Sequence, residues 1–347
     1  MKEKIGYAVV GLGIGRAHIG GVLSSERGRL AAVCDIDGAK LEKFKIEHPG
    51  VPTYSDFGAL LRDPDVEVIS ICVPSGLHAA LAVQALEAGK HVLVEKPIDI
   101  TPAQAYKIEE ARLRTGKKVG VIHQNRFNAC MEPLREALDT GRLGRLILGT
   151  FAVKWYRDQK YYDAGGWRGT WEMDGGGSLM NQAVHTVDIM QWLMGEVDTV
   201  TSQTGIYNHN IDTEDLTASI IKFKSGAVAT FVSTTCAYPG IATDIQLYGT
   251  GGSIEIDGDS LKLWKLCDGD SFEEEEMLQK YGEGNNSPSA DPTTVRGHAY
   301  QVHDMIDAVY YDREPLISPR EAIKSVAIVN AVYESARTGQ PVHPVQL

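Results

Sequence analysis

Several absences narrow the field before any motif is read. No Cys-x-x-Cys pair occurs, and the five cysteines, Cys34, Cys72, Cys130, Cys236 and Cys267, are scattered and odd in number. That excludes a disulfide scaffold, a metal finger or a redox pair, and it predicts a reducing, cytoplasmic setting with most of these thiols acting as small core residues. No run of 18 apolar residues exists, so no spanning helix is expected. Positive charge is in deficit: 34 Lys and Arg against 46 Asp and Glu give a net charge of −12. Such a surface repels phosphate backbones and anionic lipid, which argues against nucleic-acid and membrane partners. The basic start, followed by a short apolar run, imitates an export signal. Gly11, Gly13 and Gly15 break the run, and Arg16 and His18 follow, so a strand and a tight turn are the better reading.

With 347 residues, 43% hydrophobic and 23% charged, the chain has ordinary globular usage and length for about two domains. In the first third, short apolar runs at 5–10, 30–34, 66–73, 91–94 and 119–122 alternate with helical stretches, most clearly 78–88 and 103–114. Gly89 and Gly116 close these two helices with the left-handed residue such ends favour. Buried strands separated by helices predict a parallel sheet covered on both faces.

After about residue 127 the pattern changes. A helix near 131–138 precedes alternating, β-branched segments at 146–155, 216–223, 227–234 and 243–248, with a helix inserted at 178–194 and helices again at 298–310 and 319–337. The expected fold is α/β: a dinucleotide-binding domain over 1–127, then an α+β domain over 128–347 with a large, mostly antiparallel open sheet. Residues 268–295, acidic and rich in Gly, Asn, Ser and Pro, read as a solvated loop or strand edge.

The first chemical motif is Gly11-Leu12-Gly13-Ile14-Gly15, between a predicted strand and a predicted helix. Glycines there let the backbone approach a pyrophosphate, and the helix N-terminus offers N–H groups and a positive dipole end. The third Gly comes one residue earlier than in the usual Gly-x-Gly-x-x-Gly spacing, and Arg16 stands in its place. Asp35 follows Gly13 by 22 residues at the end of the second strand. A carboxylate there accepts both ribose hydroxyls of an adenosine and repels a 2′-phosphate. Ile36 and Asp37, not Arg, come next, so NAD is favoured over NADP.

Val73-Pro74-Ser75-Gly76-Leu77-His78, the Ala-Gly-Lys-His-Val run at 88–92 and Glu95-Lys96-Pro97 follow. With the Gly-rich turn, they closely resemble the glucose–fructose oxidoreductase / inositol dehydrogenase (Gfo/Idh/MocA) family. The likeness continues through Asn125-Arg126-Phe127 and residues 175–188 to Ala336-Arg337-Thr338-Gly339-Gln340-Pro341-Val342, and so covers nearly the whole chain. It implies a cofactor site formed by Gly11, Gly13, Ile14, Gly15, Asp35, Val73, Pro74, Ser75, His78, Glu95, Lys96 and Gln124. It also implies that Lys96 lies where nicotinamide and substrate meet. An ammonium at the carboxyl end of a parallel strand can hold a hydroxyl oxygen and stabilise it as its proton leaves.

On a helix, Asn181 and His185 are spaced i, i+4, with Asp188 three residues on. His185 matches the family's catalytic histidine, a group able to take a hydroxyl proton near neutral pH. Asn181 departs from the Asp of inositol dehydrogenase-like members, which disfavours inositol; its expected role is to orient a hydroxyl, and Asp188 is expected to support the site. The aromatic segment Trp155-Tyr156-Arg157, Tyr161-Tyr162 and Trp167-Arg168 offers ring faces for sugar C–H groups and Arg donors. Substrate contacts are thus expected from Lys96, Arg126, Tyr156, Trp167, Arg168, Asn181, His185 and His298. No His or carboxylate spacing suggests a metal.

The implied activity is NAD-dependent oxidation of a secondary hydroxyl on a sugar, glycoside or sugar derivative, by a homodimer or homotetramer. The alternatives are an NAD-dependent glycosidase working through transient oxidation, an inositol or nucleotide-sugar dehydrogenase, and a non-catalytic NAD sensor.

Overall fold

A computed structural model describes residues 3–241, 243–282 and 295–346. Strands β1 (Ile5–Val10), β2 (Gly28–Cys34), β3 (Thr53–Tyr54), β4 (Val68–Ile71), β5 (His91–Val94) and β6 (Val119–Val121) form one sheet in the order β3-β2-β1-β4-β5-β6. Every pairing in it is parallel. This is the doubly wound arrangement whose order reverses beside β1, where ligands bind beyond the strands' carboxyl ends. β3 escapes sequence reading because two residues carry no periodicity. The helices follow local rules. Asp37 accepts from Ala39 N and Lys40 N to start Gly38–Glu47. Thr101 caps Pro102–Thr115, and Gly116 ends it at φ +67°.

The described residues divide between two compact units, one drawn from Met1–Gln124 and Asp291–Ile323, the other from Asn125–Ala290 and Lys324–Leu347. The helix Val295–Tyr310, assigned from sequence to the second domain, therefore packs with the first. Its Val302, Met305 and Ile306 join Tyr7, Val9, Ile19, Val22 and Leu93 in one buried cluster. Gly21 permits the approach: a Cβ there would meet Val302 Cβ at 2.9 Å and Ala299 Cα at 3.1 Å.

The second unit is built on β7 (Leu146–Lys154), β8 (Val197–Gly205), β9 (Leu216–Phe223), β10 (Val228–Thr234), β11 (Thr243–Gly249), β12 (Gly252–Asp257) and β13 (Ser260–Leu266), in the order β13-β12-β11-β7-β10-β9-β8. All pairs are antiparallel except β7 with β10. In β9, Thr217, Ser219, Ile221 and Phe223 point inward and alternate residues outward, the pattern of a half-covered sheet.

Two expectations need correction. The acidic stretch is not all loop: Ser271–Tyr281 is a helix capped by Asp270, which accepts from Glu273 N. Its acidic first turn suits the positive helix end, and Arg142 pairs with both Asp268 and Glu273. Residues 283–294 of that stretch lie outside the described residues. The segment read as one helix over 178–194 opens as a π-helix, Ser178–Ala183, before the α-helix Val184–Met194 begins. Cys34, Cys72 and Cys130 are buried as expected, whereas Cys267 is exposed. No helix among the described residues is long and apolar enough to cross a membrane.

Candidate active site

In the first unit the three glycines after β1 do three different things. Gly11 adopts φ +92°, and a Cβ on it would lie 2.2 Å from Cys72 O; it makes the turn. A Cβ on Gly13 would meet nothing within 4 Å, so open space lies over the backbone there. Gly15 opens the helix Gly15–Ser24, and a Cβ on it would lie 2.7 Å from Val9 Cγ1. The early third glycine thus does the helix–strand packing one residue sooner than the usual spacing. Arg16 is turned away onto Glu47 at 2.7 Å. Ile14 precedes the helix without a side-chain cap, which leaves N–H groups for an anionic ligand. Asp35, 7% exposed, accepts from Leu12 N at 2.7 Å and so ties the turn to the end of β2. A turn, an open glycine, an uncapped helix and a carboxylate are the parts a dinucleotide needs.

Behind the turn runs a buried polar chain. Glu95 can only accept as a carboxylate, so His18 Nε2 donates to Glu95 Oε1 at 2.9 Å. Ser70 Oγ then donates to His18 Nδ1 at 2.8 Å, and Tyr7 OH donates to Ser70 Oγ at 2.7 Å. Burial lowers the His18 pKa, in keeping with this neutral tautomer. His298 Nε2 also lies 3.2 Å from Glu95 Oε1. Burial opposes ionisation of Glu95, but the hydrogen bonds from His18 and His298 prevail and hold its carboxyl well below the usual range. Glu95 Oε2 accepts from Lys96 N at 3.0 Å, so the carboxylate sets the backbone of Lys96 just beyond β5. The Lys96–Pro97 peptide is cis.

Other residues expected at the site also have partners within this unit. His78 is buried, with Nδ1 2.7 Å from Pro97 O and Nε2 2.9 Å from Val73 O, so its ring nitrogens join two loops. Glu95 holds the backbone N–H of Lys96, and His298 lies against Glu95. Ser75 is buried at the loop after β4, with Val73 and Pro74 half-buried beside it. Gln124 lies against Gly297, whose Cβ would meet Gln124 Cβ at 2.8 Å.

In the second unit, His185 is 7% exposed in the first turn of Val184–Met194. Sequence reading missed Glu214, which lies under the start of the preceding π-helix. This buried carboxylate accepts from Gly177 N at 2.9 Å and Leu179 N at 2.7 Å, holding the start of the π-helix. Burial pushes its pKa up to about 7 against those bonds. Asn181 Nδ2 donates to Asp174, and Asn181 Oδ1 accepts from Gln182 Nε2 at 2.8 Å. An Asp at 181 would set two carboxylates face to face, which is a physical reason for the amide. Arg126, expected at the substrate, makes a bidentate pair with Asp188 and lies 5.2 Å from the Trp192 ring centre. Tyr156 packs edge-on against Tyr238 at 5.2 Å. Trp167 and Arg168 are half-buried, with the Arg168 guanidinium 5.1 Å from the Trp167 ring.

Two clusters bring three metal-competent atoms within 4.8 Å among the described residues: His18, Glu95 and His298, and His209, Asp215 and Cys236. Linear spacing announced neither, because each draws on distant segments. Hydrogen bonds already join their members: His209 Nδ1 lies 3.0 Å from Asp215 Oδ2.

Residues 5–123 match the oxidoreductase family with an NAD-binding Rossmann fold, and residues 131–255 match the GFO/IDH/MocA C-terminal domain. The chain belongs to the GFO/IDH/MocA family. Its first unit is an NAD-binding Rossmann domain. The WlbA dehydrogenase from Bordetella pertussis, solved in complex with NADH and UDP-GlcNAcA, is 30% identical and superposes with a TM-score of 0.91, over 100% of this chain and 99% of that one. The 1-carboxy-3-chloro-3,4-dihydroxycyclohexa-1,5-diene dehydrogenase of Comamonas testosteroni is 34% identical across 60% of this chain and 52% of its own length. Inositol 2-dehydrogenase of Salmonella typhimurium (strain LT2) is 30% identical across 54% of each. The chain thus spans about half the length of these two curated relatives.

Proposed function

We propose that this GFO/IDH/MocA protein is an NAD-dependent dehydrogenase that oxidises a secondary hydroxyl of a sugar, glycoside or sugar derivative. The observation that carries the reading is the anchoring of Lys96 by Glu95 beyond β5, in the unit whose three glycines fit a dinucleotide. The Gly11–Gly15 turn and Asp35 would hold NAD, which when bound supplies the acceptor for the hydride leaving the oxidised carbon. The Lys96 ammonium donates to the hydroxyl oxygen and stabilises the negative charge growing on it. The His185 imidazole takes the hydroxyl proton. Glu214 and Asn181 fix the turn that aims His185; Trp167 and Arg168 hold the sugar. The names of the relatives support an alcohol substrate: one acts on a dihydroxy ring, another on inositol, and a third was crystallised with a nucleotide sugar.

The same reading carries a cytoplasmic homodimer or homotetramer formed through the open sheet face, where Ile220 is 54% and Leu148 39% exposed.

The test is a screen of free sugars, inositols, glycosides and nucleotide sugars with NAD and NADP, following the absorbance of the reduced cofactor. On the best substrate, His185→Ala should lower turnover by about 10²–10⁴, Lys96→Ala should also lower it strongly, and both should still bind NADH. Full turnover in both variants would end the assignment.

A further inference from the structure

The aromatic segment ahead of the His185 helix brings two guanidinium groups to one ring. Arg168 Cζ lies 4.8 Å and Arg157 Cζ 5.3 Å from the centre of Tyr161. Arg157 also lies 5.2 Å from Trp155. Tyr161 OH accepts from Gln182 Nε2 at 2.7 Å, which fixes the ring between the cations and the π-helix that carries Asn181.

Many arginines of this acidic chain sit against carboxylates: Arg16 on Glu47, Arg27 on Asp307, Arg126 on Asp188, Arg142 on Asp268 and Glu273. Among the described residues, Arg157 and Arg168 do not. Arg157 donates to Tyr156 O at 3.1 Å and Gln182 Oε1 at 2.9 Å, and Arg168 to Ala164 O at 2.6 Å, all neutral acceptors. Asp174, the nearby acidic group, is held by Asn181 Nδ2 and by Gly169 N at 2.8 Å. Both residues are half-buried, and like charges on one ring there repel more than they would in water. Each keeps further N–H donors, and a planar fork of such donors matches the two oxygens of a carboxylate or phosphate.

We propose that Arg157 and Arg168 form an oxyanion subsite, so that the substrate oxidised by this enzyme carries a carboxylate or a phosphate. The inference rests on the dehydrogenase reading above and narrows its substrate class. A sugar acid and a sugar phosphate or nucleotide sugar present the same chemistry to the pair.

The experiment compares matched substrates with the full-length protein and NAD: a neutral hexose, its uronic acid, its 1-phosphate and its UDP-linked uronic acid. The expected result is a higher kcat/KM for one or more anionic members. Arg168→Gln should raise KM for that member by about 10- to 100-fold, the range for a lost charged hydrogen bond, and Arg168→Lys should raise it less. The uronic acid and phosphate arms identify the source of the charge. Calorimetric titration of the NADH-loaded protein with the same compounds separates the two ideas. Arg168-dependent binding of the anion with no NADH formed from NAD would keep the subsite and end the dehydrogenase reading. Oxidation of the neutral hexose as efficiently as its charged partners, with Arg168→Gln altering all of them by one factor, would overturn the subsite. If Arg168→Gln does not fold, the wild-type preference and Arg168→Lys decide the matter.

Discussion

Arg126 grips Asp188 through two N–H···O bonds of 2.6 Å each, with only 8% and 1% of the two side chains exposed. The pair lies one helical turn beyond His185, so it fixes the helix that carries the proposed base. Removing one partner of a buried pair leaves the other charge unanswered. Arg126→Ala should therefore cost about 3–5 kcal/mol of stability, and replacing both by Met and Leu should cost less. Urea unfolding of the two variants checks this. A variant with native stability but a raised KM would return Arg126 to the substrate.

The contact between Asn181 and Asp174 yields a charge test. Asn181→Asp should lose about 1–3 kcal/mol at pH 7, the range for a buried polar group stripped of its partner. Melting temperatures should recover when Asp174→Asn is added, or when the pH is lowered enough to protonate one carboxyl. No recovery in either case would mean that the amide is not there to avoid this repulsion.

Glu214 makes stability depend on pH. Its folded pKa of about 7 lies above its ordinary value of 4.5, so the folded state holds the proton more tightly. Its contribution is complete below pH 4.5 and is lost as the pH rises through 7. The size is on the order of 3 kcal/mol. Glu214→Gln gives up one acceptor at every pH but should flatten this slope. Unfolding midpoints at pH 5 and pH 8 in both proteins measure it, and parallel slopes would contradict it.

The glycines of the turn divide by function. Gly15→Ala should cost about 1–3 kcal/mol, because its methyl meets Val9. Gly13→Ala meets no protein atom and should leave the melting temperature intact while weakening NADH binding. Fluorescence titration with NADH, set beside a melting curve, distinguishes the two.

Much of this was legible because the first unit uses local signals. Strands β1 and β5 fall on the apolar runs at 5–10 and 91–94, since a strand covered on both faces must be apolar throughout. Strands β8, β12 and β13 were not read: they belong to a sheet in which packing, not composition, selects the residues. The helix Ser271–Tyr281 hid behind its own charges, which Arg142, more than a hundred residues earlier, helps to neutralise. The partnerships of Glu95 with His18 and His298, and of Arg126 with Asp188, span long stretches of chain and leave no local trace.

The return of Val295–Tyr310 to the nucleotide-binding unit affects how the chain is made. Until residues 295–310 have left the ribosome, the apolar flank of Gly15–Ser24 that Val302 later covers is bare. This core must wait for a helix made nearly three hundred residues after its first strand, so a polypeptide cut short before that helix would be adhesive and short-lived.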